Sequence, residues 1–205
     1  MEQWYVLKAV PGREQEGADL IKRAVIPGLW EECQVLRKVK VFRSGGALRF
    51  PEEVMFPGYV FVKTSCPQAL AGELRKARDF PQFFFAGVQK RGRGYGKIWE
   101  NGSAEGTERY QDLLPDLVPL EKTEILFLQD VCGENLQNMM GISYITLNSE
   151  NRIIRVDGIL EKYLDRIVRV NLHKRFALVE APLFNRAYPI LFGICLEKDR
   201  AVRAG

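Results

Sequence analysis

The chain has one histidine, His173, and it stands in the short basic turn NLHKR. A serine or cysteine nucleophile would need that histidine as its base, yet no nucleophile elbow precedes it. The carboxylate pairs Glu31-Glu32 and Glu52-Glu53 are no better placed. Neighbours on a strand point to opposite faces, whereas acid–base work needs both groups in one cleft. Cys33, Cys66, Cys132 and Cys195 lie far apart without a C-x-x-C spacing, so with one histidine they form no zinc set. Scattered thiols of this kind suit a reducing cytoplasm. The expectation is a non-enzyme with no cofactor and no metal. The chemistry that remains is charge. Net charge is +4, but residues 1–150 carry 19 Lys+Arg against 20 Asp+Glu, while residues 151–205 carry 11 against 6. That local excess suits a polyanionic partner.

A chain of 205 residues, 46% hydrophobic, can bury the core of one or two domains. No apolar run approaches the ~18 residues of a membrane span, and MEQWYVLKAVPGR lacks the basic and apolar regions of a secretion signal. A cytoplasmic protein is expected.

QWYVLKAV (3–10) reads as a strand and ends at Pro11-Gly12. In residues 13–25, Gly17, Leu20, Ile21, Ala24 and Val25 recur at helical spacing, with Glu14 and Glu16 early and Lys22 and Arg23 late. ECQVLRKVKVFRS (32–44) reads as β structure ended by Gly45-Gly46, and Glu52–Thr64 as a further strand. Ser65 and Gln68 have capping-box spacing at the start of a helix, PQALAGELRKARDF. PQFFFAGV (81–88) reads as a strand. This β-α-β-β-α-β order is the split-βαβ pattern, an α+β class with helices on one face of an antiparallel sheet. QKRGRGYGKIWENGSAEGTER (89–109) reads as a loop or hairpin, and 117–132 as a helix with Ile125, Leu128 and Val131 on one stripe. GENLQNMMG (133–141) reads as a linker. Five short strands follow, ISYITL, NRIIRVDG, DRIVRV, FALVEA and AYPILFGICL, as in a small SH3-like β-barrel.

WYVLKAVPGREQEGADLIKR followed by EEVMFPGYVFVKT resembles the N-terminal domain of the NusG family of transcription elongation and antitermination factors. Asp157-Gly158-Ile159-Leu160, Ile167–Arg175, Leu183-Phe184-Asn185-Arg186 and Gly193-Ile194-Cys195-Leu196-Glu197-Lys198 resemble that family's KOW domain. Glu161-Lys162-Tyr163 stands where the family usually has a glycine, and so does Asn185, a residue that enters the left-handed region more readily than most. The HKR cluster and the Leu-Phe-Asn-Arg segment are closer to a LoaP-type paralogue.

The resemblance implies three parts: an N-terminal-like domain over 1–132, a linker over 133–141 and a KOW domain over 142–205. It implies that the first binds RNA polymerase at the clamp helices of its largest subunit, with Phe56, Tyr59 and Phe61 as the exposed aromatics. From the strand pattern alone, Tyr59 and Phe61 are equally core residues. The KOW domain is implied to bind an RNA hairpin in the nascent leader transcript. The residues for that are Lys162, Arg166, Arg169, His173, Lys174, Arg175 and Arg186, grouped around two barrel turns where cations suit phosphates. In other family members that domain meets a protein partner. A monomeric processivity factor is expected, disfavouring pausing and termination by binding alone.

Overall fold

The computed structural model describes residues 3–84 and 117–203. The expected loop at 89–109 and residues 85–88 of the expected strand lie outside them. Two compact units divide the chain: Met1–Cys33 with Gly58–Pro119, and Gln34–Pro57 with Leu120–Gly205. The contacts therefore do not divide at the expected 132/133 position.

The first unit is built on β1 (Gln3–Lys8), α1 (Glu14–Ala24) and β2 (Glu32–Gln34). Its remaining sheet strands and helices come after residue 58. For the second unit, the excursion between β2 and that return supplies β3 (Arg37–Val39), β4 (Phe42–Ser44), β5 (Ala47–Arg49) and β6 (Glu52–Val54). The chain then gives the first unit β7 (Tyr59–Thr64), α2 (Pro67–Lys76), α3 (Phe80–Phe83) and β8 (Leu117–Pro119).

The first sheet has the order β2-β7-β1-β8, with β1 antiparallel to both β7 and β8. That is the split-βαβ order, reached with one substitution. Its fourth strand is Leu117–Pro119, inside the stretch expected to be helical. The expected strand at 81–88 instead begins in the short helix α3, and Phe84 forms only an isolated bridge to Ala9. A proline in the first turn favours helix there. Ring stacking of Phe80 on Phe84 at 5.8 Å accompanies it. The expected Ser65 cap is also absent. Cys66 is the N-cap, with no side-chain hydrogen bond to the helix, and its own N–H donates to Thr64 Oγ1 at 2.9 Å.

In the second unit the expected continuous strands at 32–44 and 52–64 are broken into short pieces. β3 pairs with β6 and β4 with β5, all antiparallel. Gly45 and Gly46, at φ +57° and +80°, make the two-residue hairpin turn that requires positive φ at both positions. Helix α4 (Lys122–Cys132) follows, started by a capping box between Glu121 and Glu124. The segment 133–141 is tied down rather than free. Leu136 and Met140 are buried, and Met140 exchanges hydrogen bonds with Val39 and Arg37 at 3.0 and 2.9 Å.

The five expected C-terminal strands are all present: β9 (Ser143–Leu147), β10 (Ile153–Asp157), β11 (Ile167–Asn171), β12 (Phe176–Leu183) and β13 (Arg186–Leu196). Their order is β10-β9-β13-β12-β11. An odd-numbered up-and-down set can join its first and last strands only in parallel, and β9 and β13 do pair in parallel. A 3-10 segment, Ile159–Arg166, links β10 to β11 and is kinked at Tyr163. This segment makes the turn expected at Glu161-Lys162-Tyr163 without a glycine. Val39, Val41, Leu48, Ile142 and Cys195 form one buried cluster, so the 34–57 excursion completes the core of this unit.

Candidate nucleic-acid and protein interfaces

In the first unit the backbone of Gly58, ahead of Tyr59, is held by a buried carboxylate. Glu14, 3% exposed, accepts the N–H of Gly58 at 2.7 Å and that of Gly12 at 2.9 Å. Burial alone would raise its pKa. The backbone donors Gly58, Gly12 and Glu14's own N–H outweigh it, and the carboxyl is held below its ordinary value. Helix-dipole reasoning singled out Glu14 correctly as an early acidic residue, but not as the residue that bonds across to Gly58.

Gly58 leads into β7, whose Val60, Phe61 and Val62 are all fully buried. The expected exposure of the aromatic trio is therefore corrected. Phe61 is buried, and Phe56 is 1% exposed, packed within the second unit against Phe184 at 5.9 Å and Tyr188 at 5.7 Å. Tyr59 is half-buried, so it alone of the three has surface to offer. A strand apolar on both faces is what a doubly covered strand looks like.

The seven basic positions of the second unit separate into two environments. Lys162 pairs with Asp130, which also accepts from Tyr163 Oη at 2.6 Å. Arg166 lies over the Tyr163 ring at 5.8 Å, and Arg186 over Tyr188 at 5.3 Å. Arg166 and Arg186 line an open groove of about 960 Å³ that also carries Glu121, Glu124, Asp130, Asp165 and Glu180. Their cationic field is met by a larger acidic one.

Arg169, His173 and Lys174 are exposed. The turn holding the last two is fixed by Asn171, whose side-chain oxygen accepts the Lys174 N–H at 2.8 Å. Arg175 departs from expectation: it is 8% exposed and pairs with Asp199 at 2.9 Å. It is thus built into the fold rather than free on the surface. The sequence reading missed Lys38 and Lys40, because the excursion was assigned to the other domain. Residues 34–57 hold Arg37, Lys38, Lys40, Arg43 and Arg49 against only Glu52 and Glu53, and that charge excess was the available signal. Lys38 is buried, donates to the Leu191 carbonyl at 2.9 Å and pairs with Glu53 at 3.3 Å. Burial lowers its pKa, against the opposing pull of Glu53.

Cys33, Cys66, Cys132 and Cys195 are free thiols. Burial pushes Cys33 and Cys132 each up to about 12, so neither is a thiolate at neutral pH. Among the described residues no helix is long and apolar enough to cross a membrane.

A split-βαβ unit and a five-stranded β unit with a basic turn define the class: an α+β protein of two units. Residues 2–91 match the NusG family, described as "Transcription termination factor nusG". The match covers less than half of the chain, and it is this stretch that is similar to the family. Among solved structures, one from Thermotoga maritima described as "Domain interaction in Thermotoga maritima NusG" is similar over 94% of each chain, at 14% identity and a TM-score of 0.44. No curated protein matches.

Proposed function

We propose that the chain is a bacterial transcription processivity and antitermination factor of LoaP type. Its first unit binds RNA polymerase at the clamp helices, and its second unit binds an RNA hairpin in the nascent transcript. The family match over residues 2–91 supports the polymerase half, and Tyr59 is the residue of the aromatic trio that offers contact. The observation that carries the RNA half is the exposed basic turn of His173 and Lys174, which shares a cavity wall with Lys40. Cations clustered on a turn suit the phosphates of a folded RNA, which proteins read mainly by shape and backbone.

The test is binding of the full chain to a panel of RNA hairpins across a salt series. Hairpin-selective binding that weakens steeply with salt supports the reading. Binding that is absent, or indifferent to RNA shape, points to the general elongation reading, in which the second unit meets a protein. The acid-lined groove beside α4, with Leu126 55% exposed on its wall, favours that alternative specifically, since it suits a basic, partly apolar surface. For the first unit, Tyr59→Ala should weaken capture of RNA polymerase while leaving RNA affinity unchanged.

A further inference from the structure

The strand segment around Lys38 runs close against β13. A Cβ placed on Gly193 would lie 2.7 Å from the Val39 carbonyl oxygen, so only glycine lets the two backbones approach in this way. Between them and the 172–175 turn lies a cavity of about 40 Å³, lined by Lys38, Lys40, Glu53, Lys174 and Arg175 among others. It has room for about three water-sized oxygens, and none for a base or a sugar.

Four cations face one carboxylate there, and that carboxylate is already engaged. Glu53 pairs with Lys38 at 3.3 Å and with Lys40 at 3.2 Å. Arg175 is 9% exposed at its side chain; Nη2 reaches Asp199 at 2.9 Å, and Nη1 is buried with no acceptor among the described residues. A buried guanidinium donor without an acceptor is costly. Arg175 also sits at φ +58°, a conformation that L side chains other than Asn or Asp seldom take. The fold thus holds a charged side chain, strained and incompletely bonded, at the wall of a small cationic cavity.

We propose that this cavity is an oxyanion site, which takes the non-bridging oxygens of one phosphate group. Arg175 stands in the wall of that site, and the exposed Lys40 and Lys174 hold the group electrostatically. The phosphate comes either from a nucleic-acid backbone or from free phosphate. Only the backbone source rests on the RNA reading above.

The experiment is thermal melting of the full chain in rising sodium phosphate, against sodium chloride at matched ionic strength. The midpoint should rise with phosphate and not with chloride. The double variant K40A/K174A, altered only at exposed positions, should need about tenfold more phosphate for the same rise. Arg175→Gln, which removes the charge from the wall, should do likewise, measured from its own starting midpoint. A phosphate effect no larger than that of chloride overturns the site. So does an equal phosphate response in wild type and all variants, which would leave the cavity holding water alone. A labelled hairpin displaced by phosphate identifies the backbone as the source. Phosphate binding beside absent RNA binding keeps the oxyanion site and removes the RNA reading.

Discussion

Arg186, at the start of β13, and Lys174, on the turn before β12, are both exposed cations of the same unit, yet their surroundings have opposite sign. Arg186 faces a groove with five carboxylates, whereas Lys174 shares a cavity with Lys38, Lys40 and Arg175, opposed by Glu53 in its lining and by Asp199 paired to Arg175. A polyanion feels the summed potential of a surface and not the charge of one residue. The difference teaches that a count of lysines and arginines along a chain does not say where an anion will bind. The neighbours brought in by folding decide it.

The comparison breaks most readily by charge reversal. Lys40→Glu with Lys174→Glu should weaken hairpin binding by about 100-fold at low salt and flatten the salt slope by about two. The matched pair Arg166→Glu with Arg186→Glu should cost about threefold or less, because that face is already acidic. Equal losses in a filter-binding titration would mean that the two faces do not differ as the structure has them.

A gain-of-function change sharpens the same contrast. Asp165 and Glu180 are exposed on the groove and accompany Arg166 and Arg186 there. Asp165→Asn with Glu180→Gln should raise affinity for RNA about three- to tenfold at low salt, and the gain should vanish as salt rises. If affinity does not change, the groove lies outside the RNA footprint altogether.

Some of this was legible before folding and some was not. The five C-terminal strands were readable because each is a short run rich in apolar and β-branched residues bounded by turn residues. The helix 14–24 was readable from its apolar spacing and charge order. Asn185 takes φ +55°, as its side chain allows, although its neighbour Phe184 at φ +58° was not foreseen. The fourth strand of the first sheet was misplaced because Leu117–Pro119 is three residues long, too short to carry a period. Lys38 and Lys40 were hidden for a different reason. Lys38 donates to the Leu191 carbonyl and Lys40 shares a cavity with Arg175, both more than a hundred residues further on, and no local pattern encodes that proximity. Burial of Phe56 and Phe61 follows from the same kind of long-range packing, and the strand pattern alone had left both outcomes open.

The smallest expected effect concerns the acidic side of the comparison, at Asp130. Burial alone would raise its pKa, but hydrogen bonds from Lys162 and Tyr163, with the Lys162 charge, more than offset this and lower it below the ordinary 3.8. The same contact, added to burial, raises the pKa of Tyr163. Because the folded pKa of Asp130 lies below its unfolded value, the ionised carboxylate contributes stability above the unfolded pKa. That contribution is lost as pH falls through the folded value, in the window below about pH 4. Asp130 is partly exposed, so solvent screens the pair, and Asp130→Asn should cost only about 1 kcal/mol at about pH 7. Urea unfolding should show the variant's deficit shrinking progressively as pH falls below about 4, as wild type becomes protonated too. A deficit that stays constant across that range would assign the role of Asp130 to shape and not to charge. Lys162 would then be held beside the groove by packing, and the acidic face would have to be weighed without this pair.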